Sequence, residues 1–510
     1  MTSRMLVLLS VVSISLACSA PPPAATNAPQ VGVFDEAPCP MPVPDGVVEG
    51  ETLRCGYVTV PEFHSEPGER TVRLAVVVFS ALGEDKAADP LVVAPPGPGT
   101  SAIGSIGPAV ASGPGKALRA QRDVVLIENR GLALSDPALM CEEMVESAFA
   151  ALEKDPSGGE SMEDPMVSVK ACYERLKREG VNPRAFTFGA MADDLAMVMS
   201  ALGYERFNVY GTSAGTVLAQ HLLSNHSHRL RSVVIDSTVP LGRKTLQAEM
   251  PANAAQIMHA LFEACAQDAA CAEAYPDLEA RFDGVIEKLN EEPVTVPATH
   301  PRTGEEIGVV FNGDRLAGAL FMAAAQTPAI PHLPGLIHSL SQGNHDGLKE
   351  MTGGAMPPPG EFAHGLSTAA LCAVSNTFTK EDLVFDGLFP AYEAAIAQLS
   401  SGPRMLLESC AAWEYEKQDP GARRVASSDV PTLILAGQLD PITPPAWAYD
   451  TAMPLSNAWV AEVPGYGHSP TFSGPCPASM ALEFLANPTG PPDDSCLAEM
   501  KIDFAVPQEG

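Results

Sequence analysis

The only Gly-x-Ser-x-Gly pattern in this 510-residue chain is Gly211-Thr212-Ser213-Ala214-Gly215. The residues before it, Phe207 to Tyr210, predict a short buried strand, and Thr216 to Leu223 has the apolar spacing of a helix. A serine on a tight turn from strand to helix holds its hydroxyl exposed, as a nucleophile requires, and the two glycines avoid a Cβ where the turn leaves no room. Ser213 is therefore the predicted nucleophile.

An acid and a base follow Ser213 in an order typical of serine hydrolases built on parallel sheets. His468 is the only one of the 11 histidines after His364, so it is the predicted base. The apolar run PTLILAG predicts a buried strand, and Asp440 lies in the segment QLDP that directly follows it. NAWVAEV predicts the next strand, so acid and base are expected at neighbouring strand ends. Alternatively, Asp440 only caps a turn and His468 is a loop histidine. The order of the three residues favours a catalytic triad.

An oxyanion hole needs two backbone N–H donors. One is expected from Ala214, the residue after the nucleophile, and the other from a loop after an earlier strand. The run PLVVA predicts that strand and PPGPGTS that loop, with Gly97 as the candidate donor; the alternative is a plain Pro/Gly turn. Ser101 lies in a partial repeat of the serine motif, without a closing glycine or a following helix, and is predicted to be a loop serine.

These segments resemble the prolyl iminopeptidase and tripeptidyl aminopeptidase family of α/β-hydrolases, which are secreted serine exopeptidases. PPGPGTSA is similar to the family's HGGPGGSG loop, ENRGLALSD to its DQRGxGxS segment, and GTSAGT to its GTSYGT motif. AGQLDPITPP and GYGHS resemble the acid and histidine segments of its C-terminal domain. The resemblance extends from Cys39 to Cys496. It implies a triad of Ser213, Asp440 and His468, with oxyanion donors Gly97 and Ala214.

The chain departs from this family at several positions. Pro95 and Pro96 replace His-Gly, Asn129 replaces Gln, and Ala214 replaces a bulkier aromatic residue. Related hydrolases carry Cys-Ala-Glu or Cys-Ser-Glu in the lid, whereas Cys372-Ala373-Val374 has no carboxylate. If that glutamate holds a substrate amine, its absence weakens an aminopeptidase assignment. Other acidic residues of the predicted cap could meet an ammonium group, although surface carboxylates are usually structural: Asp314, Glu361, Glu408 and Glu414.

Glu128 and Arg130 lie in the ENRGLALSD segment, after the predicted oxyanion loop. A catalytic role for this pair is conceivable because both side chains are charged. A structural ion pair behind the loop is the better interpretation. We therefore expect the two side chains to contact each other.

The N-terminus has the pattern of a secretion signal. Arg4 and the apolar run up to Ala17 predict a signal peptide over residues 1–17, too short for the roughly 20 residues of a membrane span. Ala17-Cys18 resembles a lipobox, so Cys18 is the predicted lipid attachment site, with free secretion as the alternative. Residues 18–36 are rich in Pro and Ala and predict a tether. An extracytoplasmic, membrane-anchored lipoprotein is expected.

Apart from Cys18, ten of the 11 cysteines remain, an even number expected of disulfide bonds in an oxidising compartment. Proximity along the chain suggests five pairs, although connectivity cannot be deduced from sequence. The suggested pairs are Cys39 with Cys55, Cys141 with Cys172, Cys265 with Cys271, Cys372 with Cys410, and Cys476 with Cys496. No spacing suggests a metal site, and a thiol nucleophile is not expected.

The pattern of apolar runs predicts an α/β-hydrolase fold with a mostly parallel central sheet. Residues 37–240 are the predicted first part of the core, and residues 429–510 its C-terminal part. The rhythm of strand and helix stops between them. Residues 241–428, rich in helix formers, are the predicted mainly helical cap over the site.

These observations predict an extracytoplasmic serine hydrolase that needs no cofactor, most simply an exopeptidase that releases short N-terminal pieces from peptides through an acyl-enzyme. The substrate is expected to be a peptide or a small acyl compound. The formal charge of -31 speaks against nucleic acid and anionic membranes as partners. An ester hydrolase with the same triad and a catalytically silent binding protein are the alternatives. The sequence leaves the oligomeric state open.

Overall fold

A computed structural model describes residues 30–155, 164–244, 246–355, 362–383, 401–419, 425 and 427–507. The predicted signal peptide and Cys18 lie outside the described residues, as does Glu361. Within the described ranges, every helix is too short or too polar to span a membrane.

Nine strands form one sheet in the order β1-β2-β3-β5-β4-β6-β7-β10-β11. β1, β2 and β3 pair antiparallel, β3 is antiparallel to β5, and all pairs from β5 to β11 are parallel. The strands are β1 Phe34–Glu36, β2 Leu53–Pro61, β3 Thr71–Phe79, β4 Leu91–Ala94, β5 Val124–Ile127, β6 Phe207–Thr212, β7 Leu230–Asp236, β10 Thr432–Gly437 and β11 Ala458–Val463.

Sixteen helices are described outside the 3₁₀ turns. They are α1 Ala102–Ala111, α2 Glu142–Leu152, α3 Pro165–Arg178, α4 Phe188–Ala201, α5 Gly215–Asn225, α6 Leu246–Gln267, α7 Ala269–Ala274, α8 Leu278–Glu291, α9 Gly313–Ala324, α10 Leu333–Ser341, α11 Leu348–Ala355, α12 His364–Ser375, α13 Ser401–Ala412, α14 Pro445–Ala452, α15 Pro470–Ser473 and α16 Pro475–Ala486.

Helices cover both faces of the sheet. Alternate residues of the central strands pack against α4 and α5 on one face, such as Val209, and against α1 and α16 on the other, such as Tyr210. Strands β4 to β7 and β10 are therefore buried on both sides, which explains why their sequences are apolar runs rather than alternating patterns. This burial fixes the carboxyl ends of β6, β7 and β10 at one edge of the sheet.

The chain leaves the sheet after β7 and returns at β10. In between lie helices α6 to α13 and an antiparallel hairpin, β8 Val294–Thr299 and β9 Glu306–Phe311, which the sequence did not predict. Helices α6, α8, α9 and α10 share an apolar core of their own, which also includes Leu439, the residue before Asp440. The cap is thus packed directly on the loop that carries the predicted acid.

Five disulfide bonds join the ten cysteines in the pairs that proximity suggested. The Cα–Cα distances are 4.9 Å for Cys39–Cys55, 5.5 Å for Cys141–Cys172, 5.2 Å for Cys265–Cys271, 5.3 Å for Cys372–Cys410 and 6.0 Å for Cys476–Cys496. The Cys372–Cys410 bond ties α12 to α13 within the cap.

Candidate active site

Ser213 lies on the turn between β6 and α5, where the sequence placed it. Its φ of 52° is in the left-handed region, a strained conformation for a residue with a side chain, and its N–H donates to the Asp236 carbonyl at 2.9 Å. A Cβ on Gly211 would lie 2.6 Å from the Gly215 carbonyl, and one on Gly215 would lie 2.6 Å from the Ala94 carbonyl. The turn therefore requires both glycines, as predicted.

Asp440 and His468 form a hydrogen-bonded pair at the ends of β10 and β11. The His468 Nδ1–H donates to Asp440 Oδ2 at 2.7 Å, and the Asp440 side chain is completely buried. Because the carboxylate accepts the proton of Nδ1 in this hydrogen bond, the other ring nitrogen, Nε2, is the one that can take up a proton. The pair therefore has the acid–base geometry of a serine hydrolase.

The charges of this pair shift both pKa values. Burial alone would raise the pKa of Asp440, but the His468 charge and hydrogen bonds from His468 and Thr443 outweigh it, so the pKa lies below its usual range. Burial would lower the pKa of His468, yet attraction to Asp440 and, less strongly, to Asp236 raises it. The site favours an ionised aspartate beside an imidazole that gains a proton easily.

Hydrogen bonds from its own loop hold the Asp440 carboxylate. The Thr443 hydroxyl donates to Oδ2 at 2.5 Å, and the N–H groups of Ile442 and Thr443 donate to Oδ1 at 2.9 Å each. Asp440 thus caps a turn and also pairs with His468, so it does more than cap a turn. Thr443 was missed by the sequence analysis, although an aspartate followed by a proline is a turn signal that pointed to this loop.

The end of β7 connects the nucleophile turn to the histidine loop. The Asp236 carbonyl accepts the Ser213 N–H, the Ser237 hydroxyl accepts the Ser469 N–H at 2.8 Å, and the Thr212 and Ser469 hydroxyls lie 2.8 Å apart. Ser237 and Ser469 are also left-handed, with φ of 59° each. The residues flanking the predicted nucleophile and base are therefore held against each other by a strand that the sequence analysis did not assign to the site.

Asp236 places a second buried carboxyl near His468. Its Oδ2 accepts hydrogen bonds from the Tyr210 hydroxyl at 2.7 Å and from the Thr471 hydroxyl, while Oδ1 has no hydrogen-bond partner in the structure. Burial raises the pKa of Asp236 to about 6, although these hydrogen bonds and the His468 charge oppose the shift. This carboxyl therefore titrates close to neutral pH.

The two predicted oxyanion donors do not converge. The Ala214 N–H donates to the Pro96 carbonyl at 3.0 Å. The peptide between Pro96 and Gly97 is trans, so its N–H points away from the direction of its carbonyl. With the carbonyl directed at Ala214, the Gly97 N–H cannot point into the same space. The two predicted donors therefore do not form an oxyanion hole in this structure, an arrangement called the closed state below.

Segments of the cap and core hold the oxyanion loop. The Ala363 N–H donates to the Gly99 carbonyl at 2.8 Å, and Thr100 forms an isolated antiparallel bridge with Phe362, just before α12. Ser101 ends the loop: its hydroxyl oxygen accepts the Gly104 N–H at 2.8 Å and caps α1. The prediction that no helix follows Ser101 is therefore wrong.

Two family models match the sequence. Residues 399–496 match the model described as TAP-like protein, and residues 89–271 match the model described as alpha/beta hydrolase fold. The chain is an α/β-hydrolase with a TAP-like C-terminal region. The fold and the family resemblance expected from the sequence are thus confirmed.

The sequence is also similar to three enzymes with different names, a serine protease, a carboxylesterase and an aminopeptidase. Serine protease Hip1 of Mycobacterium tuberculosis is 26% identical over 478 residues, which are 89% of each chain. Carboxylesterase B of the same organism is 28% identical over 243 residues, covering 44% of this chain and 45% of the relative. Tripeptidyl aminopeptidase of Streptomyces coelicolor is 28% identical over 195 residues, covering 37% and 35%.

The expected ion pair between Glu128 and Arg130 is wrong. Arg130 is fully buried and pairs with Asp194 of α4, with Nη2 2.6 Å from Oδ1. The Glu128 carboxylate instead accepts the Ser101 hydroxyl at 2.8 Å, and burial raises the pKa of Glu128. Glu128 therefore supports the far end of the oxyanion loop, and Arg130 joins α4 to the sheet.

The cap carboxylates have partners of their own. Cys372-Ala373-Val374 lies on α12, and the described predicted carboxylates contact neighbouring residues: Asp314 with Asn290, Glu408 with Lys380 and Glu414 with Tyr173. Among the described residues, no group of three or more His, Cys, Asp or Glu side chains could hold a metal ion.

Proposed function

We propose that this protein is a serine hydrolase whose triad is Ser213, Asp440 and His468. The observation that carries the proposal is the buried His468–Asp440 hydrogen bond of 2.7 Å at the strand ends beside the strained Ser213 turn. The bonds from β7 to Ser213 and Ser469 support it, because they hold the nucleophile and histidine loops together.

The reaction would proceed through an acyl-enzyme. His468 Nε2 takes the Ser213 proton as the oxygen attacks the substrate carbonyl, and Asp440 stabilises the resulting imidazolium. The same proton passes to the leaving group when the tetrahedral intermediate collapses. Water, activated by His468, then attacks the ester on Ser213 and releases the acid.

Stabilising the oxyanion requires a rotation of the Pro96–Gly97 peptide. Rotation by half a turn removes the Pro96 carbonyl from the Ala214 N–H and directs the Gly97 N–H into the space it leaves. One peptide movement therefore supplies both predicted donors. Each such donor contributes about 3 kcal/mol in comparable sites, so the two outweigh the single hydrogen bond that is broken, worth about 1 kcal/mol.

We propose that the substrate is a peptide cleaved near its N-terminus, in an extracytoplasmic compartment. The tripeptidyl aminopeptidase and serine protease relatives support a peptidase, and five disulfide bonds support an oxidising compartment. Lipid attachment at Cys18 belongs to the same proposal. Palmitate labelling that is lost in Cys18→Ala supports the anchor, and equal labelling of both proteins refutes it.

An ester hydrolase with the same triad is the second candidate. It is supported by the similarity to Carboxylesterase B. It is also supported by a cavity between the cap helices and the Asp440 loop, in which no described lining residue has an acidic side chain. Free and N-blocked peptide anilides, compared with nitrophenyl esters, separate the two candidates. Cleavage of esters alone would refute the peptidase.

Fluorophosphonate labelling tests whether the protein is an enzyme at all. The wild type is expected to be labelled and Ser213→Ala to remain unlabelled, because the probe reacts with an activated serine. A folded wild-type protein that resists the probe would support a silent binding protein instead.

A further inference from the structure

The cap helices form most of the wall of a half-open cavity of about 350 Å³, which the loop that carries Asp440 also lines. This volume is in the range of small-molecule sites. Its walls come from four cap helices, from helix α2 and from one loop of the core. They include Ala254 of α6, Phe321 of α9, Thr368 of α12, Met405 of α13 and Ile442.

Three walls of this cavity continue into the predicted catalytic loops. The Ile442 N–H donates to the Asp440 carboxylate. Helix α9, which carries Phe321, is followed by Ala325, whose carbonyl accepts the His468 N–H at 2.8 Å. Helix α12 begins directly after Ala363, which binds the oxyanion loop. The elements that line the cavity therefore also contact the acid loop, the histidine loop and the predicted oxyanion loop.

The chemistry of the lining is uniformly uncharged. Among the described residues that line the cavity, none is Asp, Glu, Lys or Arg, and most are apolar, including four methionines. The one titratable side chain, His364, has its pKa lowered by burial and so favours the neutral form. A free ammonium or carboxylate entering this space would lose water without gaining a counter-ion, which is strongly unfavourable.

We propose that this cavity binds an uncharged, apolar acyl chain attached to the scissile carbonyl. The inference rests on the proposed serine hydrolase and favours its ester-hydrolase candidate, because the acyl part of a peptide cut near a free N-terminus would carry an ammonium group into the site. A largely apolar cavity suits the acyl side because the acyl group stays attached to Ser213 after the leaving group departs, and so needs a binding surface of its own. Methionine side chains accommodate chains of different shape because they are unbranched and flexible.

The first test measures kcat/KM for p-nitrophenyl esters from acetate to octanoate, which share one leaving group. For each methylene that enters the cavity, we expect an increase of up to about fourfold. The inference would be overturned if the wild-type enzyme hydrolysed p-nitrophenyl acetate and reacted with fluorophosphonate, but showed the same kcat/KM for all chain lengths. That result would leave the proposed function intact.

A charge placed in the cavity gives a matched control. Ala254 is buried in the lining, so Ala254→Asp adds a carboxylate and Ala254→Asn adds a side chain of the same size without charge. At pH 8 we expect Ala254→Asp to lose most of the octanoate preference, Ala254→Asn to keep more of it, and both to hydrolyse acetate. Equal chain-length dependence in the two variants would contradict a role for this cavity.

Binding to Ser213→Ala gives a readout that needs no catalysis. We expect octanamide to raise the melting temperature of this variant and octylamine, a cation at neutral pH, to leave it unchanged. The Ala254→Asp substitution in the same background should reduce the octanamide effect. If octanamide fails to bind, the inference is wrong even where fluorophosphonate labelling succeeds; if labelling alone fails, only the catalytic proposal falls.

Discussion

Gly97→Ala tests the proposed rotation of the Pro96–Gly97 peptide. In the closed state, the φ of Gly97 lies outside the left-handed region. A half-turn of the peptide changes φ of Gly97 by about 180°, which moves it into or to the border of the positive range that glycine adopts readily. Alanine pays about 1–2 kcal/mol for a left-handed conformation, so the open state should become about 5- to 30-fold rarer.

Thr100→Ala provides the background that makes this test clean. In the closed state, a Cβ on Gly97 would clash with the Thr100 hydroxyl oxygen, 2.4 Å away. The next nearest atom, the Thr100 Cβ, would lie 3.3 Å away, which is a tight contact but not a clash. Removing the hydroxyl therefore allows the alanine to fit without forcing the loop open. The single variant Thr100→Ala is therefore compared with the double variant Thr100→Ala/Gly97→Ala. In the double variant, alanine at position 97 fits the closed loop but disfavours the rotated peptide.

The assay combines p-nitrophenyl acetate hydrolysis with binding of a boronic acid that forms a tetrahedral adduct on serine. We expect the double variant to lose about 5- to 30-fold in kcat/KM and a similar factor in boronic acid affinity, because both need the open hole. Thermal unfolding should stay close to that of Thr100→Ala. Activities of the two proteins within twofold of each other would refute the rotation.

Three further changes test the electrostatics of the site. Asp440→Asn should lower kcat by about 10⁴-fold and move the acid limb of the residual pH profile to lower pH, because the pKa of His468 is raised chiefly by Asp440; an unmoved limb would contradict this. Thr443→Val should lower kcat about tenfold with little change in KM, since Asp440 loses one hydroxyl donor, whereas Thr443→Ser should keep most of the activity; equal losses would indicate a packing role. Asp236 has a folded pKa of about 6 against an ordinary 3.8, so the stability contributed by its protonated form is present below pH 4 and lost as the pH rises through 6. Denaturation at pH 4 and pH 8 should show the wild type losing up to about 3 kcal/mol relative to Asp236→Asn, and a difference independent of pH would refute the shift.

The sequence predicted the sheet well because its central strands are buried on both faces. β6 was predicted from Phe207 to Tyr210, within its observed range Phe207–Thr212, and β10 one residue longer than its observed range, Thr432–Gly437. Apolar runs between turn signals identify such strands without knowledge of their partners. The hairpin β8–β9 was missed because it lies in the cap, where half of its residues are solvent-exposed and the helix-rich composition dominates.

Residue types and chain order pointed to the predicted nucleophile, acid and base, but not to the groups that hold them. Ser237 contacts Ser469 through a hydrogen bond that spans 232 positions, and Arg130 pairs with Asp194 across 64. Neither partner has a signature in the local sequence, because the contact exists only once the strands are assembled. For Glu128 and Arg130, nearness in sequence was misleading: they are two residues apart, and their side chains bind different partners.

The orientation of the oxyanion loop was unpredictable for a different reason. A Pro-Gly peptide can point its carbonyl either way at a cost of a few kcal/mol or less, since glycine accepts both signs of φ. The choice is made by contacts that also belong to the cap: the Ala363 N–H binds the Gly99 carbonyl, and α12 then lines the apolar cavity. A bound acyl chain can favour the open loop only if its affinity is higher when α12 and Ala363 take the positions of the open state than when they take those of the closed state. The chain-length dependence of boronic acid affinity measures this difference directly, because those adducts need the open hole whereas octanamide binding to Ser213→Ala does not.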